Sequence, residues 1–288
     1  VSSVITKQWA DIDGWWDNHV EYHGHGLEVV SKLIEQSNLQ WAANESIFTQ
    51  DPLCESWEPQ SPMSGPLRTN QEENWSQWLA HLIRSSDGRF SHELFGVPEQ
   101  STTSVDREIH MSSQEHHDRR VDIIVEFPEL SFSIELKKGD EHYEKSSEAA
   151  YLAEANTDHD KPWTHYLLVP ELKQPAVVDA FGDNIDLSGA GTPTIYSEAF
   201  VDVEILWWND VAAALRRAIT AEINENWQAS AYLFITLIEQ KIMQFHSQSA
   251  IEQITAGGDV PDLASVRGVD IDDQIKYLRA SLGGDPRD

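Results

Sequence analysis

From Arg119 to Lys138 the chain alternates so strictly that few backbones can accommodate it. Val121, Ile123, Val125 and Phe127 alternate with Asp122, Ile124 and Glu126; after Pro128-Glu129, Leu130, Phe132, Ile134 and Leu136 alternate with Ser131, Ser133, Glu135 and Lys137. Period two over two short runs joined by a Pro-led turn predicts a β-hairpin. With Pro128 and Glu129 as the loop residues, Val121 faces Leu136, Ile123 faces Ile134 and Val125 faces Phe132, all apolar and all on one face. On the reverse face Asp122 lies opposite Glu135, with Lys137 next along. A one-residue slip would turn the apolar set outward, whereas a two-residue shift would keep the face. Pro128 suits type I or II turns while tight hairpins prefer the primed types, so a longer loop is an open alternative.

The Asp122–Glu135 pairing needs a physical reason. Directly opposed residues carry Cβ atoms roughly 4.5–5.5 Å apart, and like charges there destabilise a sheet. Two such carboxylates call for a shared proton, a metal ion or a cationic neighbour. Lys137 is a neighbour, but one ammonium matches two converging carboxylates poorly. A hard divalent cation with oxygen ligands suits them better.

Asp122 followed by Glu135-Leu136-Lys137 on a second strand resembles the PD-(D/E)XK nuclease superfamily, although Val121 stands where a proline often precedes the Asp. Glu72-Glu73-Asn74-Trp75-Ser76-Gln77-Trp78-Leu79-Ala80 is similar to the N-terminal helix of one branch of that superfamily, in which a Glu precedes a Ser by four residues and Leu-Ala follows. On that match Glu72 is an additional active-site carboxylate, with Glu73 as the substitute. Glu72 or Glu73 in a first helical turn is equally at home as a partner of the helix dipole. The resemblance spans roughly residues 70–210. It implies an α/β, restriction-endonuclease-like αβββαβ core, with a mixed central sheet flanked by helices and helical N- and C-terminal extensions.

The resemblance also implies chemistry. Asp122, Glu135, the Leu136 carbonyl and Glu72 would hold Mg²⁺ or Mn²⁺, which stabilises charge on a phosphate and acidifies water. Lys137 would orient that water and balance developing charge. The implied substrate is DNA, in a restriction, repair or defence setting. The alternatives are a catalytically inactive interaction protein on the same fold, and an unrelated acidic α/β protein in which Asp122 and Glu135 point to opposite faces.

The net charge of −29, from 49 acidic and 20 basic residues, bears on that expectation. Forty per cent of residues are apolar, enough for a sizeable core, so the acid is not the mark of a disordered tail. Spread acidity reads as a solubility adaptation to high salt, as in a halophilic archaeon. A DNA mimic aimed at a basic partner is the other reading. Nucleic-acid binding normally shows a basic footprint; in high salt, phosphate attraction fades and basic surface gains less. Cys54 is the only cysteine, which excludes an internal disulfide and fits a reducing, cytoplasmic interior. No run has the length needed to cross a membrane, and the N-terminus has no signal-peptide character.

Along the chain, three regions are expected: residues 1–65, a helical extension ending in a proline-rich strap; 66–210, the nuclease-like core; and 211–288, C-terminal helices packed on the core, with an acidic tail. His19 and His23 have helical metal-pair spacing, but no third ligand completes them, and Gly24 and Gly26 predict a helix break. Thr69 or Asn70 is expected to cap the Glu72 helix, and residues 102–111 to form the strand before the hairpin. Loop histidines His110, His116 and His117 could approach phosphate, though solvated histidines are the commoner case. Glu141–Glu154 reads as a helix with Tyr143, Ala150 and Tyr151 inward and Lys145 on it. Trp163–Pro170 reads as a buried strand, and Thr192–Tyr196 and Val201–Trp208 as further strands. Helices follow after Asn209 or Asp210 and from about Asn226. The second of these has an apolar stripe wide enough to pack on the core or form a homodimer interface. Ile271, Ile275 and Leu278 suggest a last short helix.

Overall fold

The computed structural model describes residues 2–44, 47–56, 71–111, 119–139, 142–143, 145–157, 161–187, 192–257 and 268–283. The chain divides into two compact units, one of residues 59–243 and one of 1–58 with 244–288. These limits differ from the expected 1–65, 66–210 and 211–288. The helices between residues 208 and 243 belong with the sheet, and the two ends of the chain share a unit.

The larger unit is α/β, with a seven-stranded mixed sheet flanked by helices. Its elements are α2 (Glu72–Ser85), α3 (Arg89–Phe95), β1 (Ser104–Met111), β2 (Arg119–Glu126), β3 (Ser131–Leu136), α4 (Ser146–Ala155), β4 (Trp163–Val169), α5 (Gln174–Phe181), β5 (Ile185–Asp186), β6 (Thr194–Ile195), β7 (Val203–Trp207), α6 (Trp208–Ile219) and α7 (Glu225–Leu237). The strand order is β1-β2-β3-β4-β7-β6-β5. Pairs β1–β2, β2–β3, β7–β6 and β6–β5 are antiparallel; β3–β4 and β4–β7 are parallel.

The hairpin register is the predicted one. Val125 pairs with Phe132 and Ile123 with Ile134, and the Phe127 N–H donates to the Leu130 carbonyl at 2.9 Å, leaving Pro128 and Glu129 as the loop. Ile123, Ile124 and Val125 are all buried, as a central strand covered on both faces requires. On one face Phe132 and Tyr166 meet Phe95 of α3, with centroids 4.7 and 5.4 Å from it. Val121 and Ile124 pack against Ala149, Leu152 and Ala153 of α4. Leu167, Val169, Val203 and Ile205 form a second cluster with Val177 of α5.

Trp75, Trp208 and Phe234 interlock α2, α6 and α7, their rings 5.4–6.0 Å apart. Burying each such side chain stabilises the fold by roughly 1.5–3 kcal/mol. The Trp227 indole N–H donates to the Leu82 carbonyl at 2.9 Å, so its polar end is satisfied as well. α7 continues into a π-helical turn, Ile238–Ile242. There Glu239, fully buried, accepts a two-pronged bond from Arg216 of α6 at 2.6 and 2.8 Å.

Several local expectations change. α2 starts after Gln71, whose side chain makes no cap bond, and Thr69 and Asn70 lie outside the described residues. Asp210 does serve the start of α6, but from its third position, accepting the Trp207 N–H at 3.0 Å. α4 begins at Ser146 rather than Glu141, and Tyr151 is 37 % exposed rather than inward.

The smaller unit contains α1 (Ser2–Ala43), α8 (Gln248–Gly257) and α9 (Gly268–Ser281). α1 runs through Gly24 and Gly26 without the expected break. Packing explains Gly26: a Cβ there would lie 2.7 Å from Ile271 Cγ2 of α9, so glycine permits close approach. Gln274 of α9, fully buried, closes the helix onto the chain at His246, accepting its N–H at 2.9 Å and donating to its carbonyl at 2.7 Å. α8 is a helix beyond those expected. His23 is buried beside Tyr22 and His25 is exposed, while the His19 side chain lies outside the described residues. No described helix is long and apolar enough to cross a membrane.

Candidate functional site

The backbone pairing of β2 with β3 stops at Ile123–Ile134. One residue further, the Asp122 side chain replaces the ladder: its Oδ2 accepts the Leu136 N–H at 2.8 Å. The Lys137 N–H turns instead to the Leu168 carbonyl of β4, at 2.9 Å. Asp122 is thus tied to the peptide between Glu135 and Leu136. Glu135 is mostly buried, its Oε1 3.0 Å from the Lys137 ammonium. Its Oε2 is buried and has no hydrogen-bond partner among the described residues.

Glu72 enters from the start of α2. Its Oε1 accepts the Lys138 N–H in a short hydrogen bond. Glu73 points elsewhere: it is largely exposed, and its Oε1 lies 3.3 Å from Arg120 Nη1. Successive side chains on an extended chain point to opposite sides, and the two lysines obey this. The Lys137 ammonium meets Glu135, while that of Lys138 stands 5.1 Å above the Trp75 ring. The structure therefore brings together Glu72, Asp122, Glu135, the Leu136 peptide and Lys137, and leaves Glu73 out.

Burial and mutual repulsion set the protonation of this group. Burial raises the Asp122 carboxyl, opposed by the Leu136 N–H and by the charges of Lys137 and Arg120. Burial and the Asp122 charge push Glu135 up to about 7, with Lys137 opposing. Burial alone would lower Lys137, but the Glu135 and Asp122 charges outweigh it and hold the ammonium above its ordinary value. Lys138 moves the other way, lowered by burial. Near neutral pH burial and the Asp122 charge keep Glu135 partly protonated, where a cation could sit.

Among the described residues no three His, Cys, Asp or Glu side chains form a ready-made metal-ligating group. Two carboxylates are enough for Mg²⁺, which is commonly held by one or two carboxylates, its remaining positions going to water and substrate phosphate. The unpartnered, buried Glu135 Oε2 and the Asp122 carboxylate fit that donor set.

Two features escaped the sequence reading. Arg120 shares the Asp122 face by alternation, and its charge acts on Asp122; the period-two pattern already contained that signal. Glu108 of β1 sits between the Arg107–Ile123 and Ile109–Val121 pairs, across from Asp122, with φ 53°. A non-glycine residue in the left-handed region beside such a site is strained, and its carboxylate takes Arg107 at 2.8 Å.

Ser133, two residues before Glu135, bonds His165 Nδ1 at 2.8 Å, and His165 Nε2 lies 3.3 Å from Glu154 of α4. Ser133 and His165 are 3 % and 5 % exposed, so no substrate reaches this serine. Burial lowers His165 despite Glu154, keeping a neutral ring that ties β3 and β4 to α4. His110 is exposed, and His116 and His117 lie outside the described residues. Comparison with family models, curated proteins and solved structures returned no match.

Proposed function

We propose that the chain is a metal-dependent nuclease that hydrolyses phosphodiester bonds in DNA, with a PD-(D/E)XK-type site. One observation carries the reading. Two mostly buried carboxylates, Asp122 and Glu135, lie at the end of the β2–β3 hairpin near enough for the charge of one to act on the other, with Lys137 on Glu135, and one carboxylate oxygen lacks a partner among the described residues. The order α2, β1–β3, α4, β4, with β4 parallel to β3, supports an αβββαβ core, to which α3 and β5–β7 are additions.

A bound Mg²⁺ or Mn²⁺ would supply Lewis-acid stabilisation to the phosphate. The protein's own groups do the rest. Asp122 and Glu135 would supply the anionic ligands; the Asp122 bond to the Leu136 N–H fixes the strand end, and the Leu136 carbonyl, in the next peptide, would complete them. Lys137 places its ammonium where negative charge develops. Glu72 anchors the strand end through Lys138 and is close enough for its charge to act on both carboxylates.

The test is incubation of several DNA forms in high salt, with and without Mg²⁺ or Mn²⁺. The wild type should cut only with metal, and Asp122→Asn should not cut. Metal should also raise the wild-type melting temperature, because a native-state ligand stabilises by mass action, and Asp122→Asn should lose most of that rise. Equal Mg²⁺ responses at fixed ionic strength would place the metal elsewhere on this acidic chain. The Lys137–Glu135 ion pair also suits a second reading, an inactive interaction protein in which lysine stands in for the cation. That reading requires no cleavage by any variant and loss of metal-free stability in Lys137→Ala.

A further inference from the structure

In a chain with 49 acidic residues, one cavity of about 420 Å³ has no carboxylate in its lining among the described residues. Gln77, Trp78, Ala80, His81 and Arg84 of α2 and Arg107 of β1 bound it. A second cavity in the same unit, of about 450 Å³, has Glu93, Glu204 and Asp210 against Arg217 alone, the balance expected of this composition.

The walls of the first cavity have a definite chemistry. The Trp78 indole lies nearly parallel to buried Phe234, at 19° and 6.2 Å between centroids, so one face is turned to the core, and the half-buried ring lines the cavity. His81 stands edge-on to it, at 80° and 6.4 Å. Arg84 spends one nitrogen, Nη2, on the Val105 carbonyl. Arg107 uses Nη1 alone, on the Glu73 carbonyl, Ser76 Oγ and the Glu108 carboxylate. Each guanidinium has five N–H donors, so both keep donors for an incoming anion.

A flat π-surface beside two anchored cations fits an aromatic ring joined to an anion. An unpaired nucleotide meets that description: the base stacks on the indole and the phosphate takes the guanidinium groups. A duplex hides its base faces inside the stack. The cavity and the carboxylate site share α2. Trp78 is six residues after Glu72 on α2, about 9 Å at the helical rise. Between them Arg107 holds the Glu73 carbonyl, and Arg120 reaches the Glu73 carboxylate at 3.3 Å.

The geometry points to the α2–β1 cavity as a subsite for an unpaired nucleotide of a single-stranded substrate, with Trp78 as stacking platform and Arg84 and Arg107 as phosphate ligands. It rests on the nuclease reading and narrows its substrate.

The test is fluorescence anisotropy with a fluorescein-tagged oligothymidylate of about 12 nucleotides, within single-strand site sizes, and with its duplex, using Ca²⁺ in place of Mg²⁺. The full chain should bind the single strand more tightly than the duplex. Trp78→Ala should weaken single-strand binding about tenfold, and Trp78→Phe should recover most of it. Arg84→Gln should reduce the slope of log K against log salt by about 0.7, one phosphate contact. Melting curves on each variant separate lost binding from lost fold. Wild type preferring duplex, or single-strand affinity unchanged in Trp78→Ala and Arg84→Gln, overturns the subsite. The nuclease reading fails separately: an oligonucleotide bound with these dependences but uncut in Mg²⁺ and Mn²⁺ overturns the nuclease and leaves the subsite. Cleavage with the same kinetics in wild type, Trp78→Ala and Arg84→Gln does the reverse.

Discussion

Burial and the facing Asp122 push the Glu135 carboxyl up to about 7, whereas an unfolded glutamate titrates near about 4.3. The native state therefore binds this proton more tightly than the unfolded chain. The resulting stability is fully present below about 4.3 and is lost as pH rises through about 7. Glu135→Gln removes the ionisation. In metal-free buffer above pH 7 it should raise the melting temperature by a few degrees, roughly what 1 kcal/mol achieves in a unit of this size, and the gain should vanish toward pH 4. A gain constant with pH would mean the carboxylate is not protonated in the native state. The two lysines give a second residue-scale prediction. Lys137→Ala should abolish metal-dependent cleavage with little change in melting in metal, because it removes the ammonium beside Glu135. Lys138→Ala should cut nearly normally, since that side chain lies over Trp75 rather than on Glu135, and the backbone N–H keeps its bond to Glu72. Single-turnover rates on both variants decide it, and equal losses would contradict the opposed faces.

At the scale of elements, the hairpin positions the site and α2 brings the third carboxylate to it. Asp122 accepting the Leu136 N–H ends the β2–β3 ladder beside Glu135. In the smaller unit, Gly24 and Gly26 are two residues apart on α1 yet face different surroundings: a Cβ at Gly24 meets nothing within 4 Å, and one at Gly26 meets Ile271. Gly24→Ala should stabilise the unit by up to about 1 kcal/mol, the helix-propensity gain. Gly26→Ala should destabilise it by about 1–3 kcal/mol, because Ile271 is buried and must shift. Chemical denaturation of the two variants should move in opposite directions; matching shifts would show that α9 yields without cost.

For the whole molecule, a net charge of −29 makes the compact state repel itself. Screening shortens from about 10 Å at 0.1 M salt to about 3 Å at 1 M. Raising KCl across that range should raise the melting temperature of metal-free protein. A midpoint that falls or stays level would show that surface repulsion is not a main destabilising force.

The hairpin, its register and the shared face of Asp122, Glu135 and Lys137 were legible in the sequence, because side chains on a strand alternate sides and burial admits one register. β4 and β7 were legible as short apolar runs, because a strand covered on both faces is apolar throughout. Where α1 ended was not, since Gly26 breaks a helix or seats a neighbour depending on what packs there, and only Ile271 decides. Nor could local pattern place Arg120 beside Glu73, His165 between Ser133 and Glu154, or Arg216 on Glu239; their partners lie 11 to 47 residues away. The choice of Glu72 over Glu73 also belonged to the tertiary structure. Both suit a first helical turn, and only the arrival of the β3 end, with the Lys138 N–H, turns Glu72 toward the site. Periodicity records which side of its own element a residue faces; what waits on that side is set by the packing of distant segments.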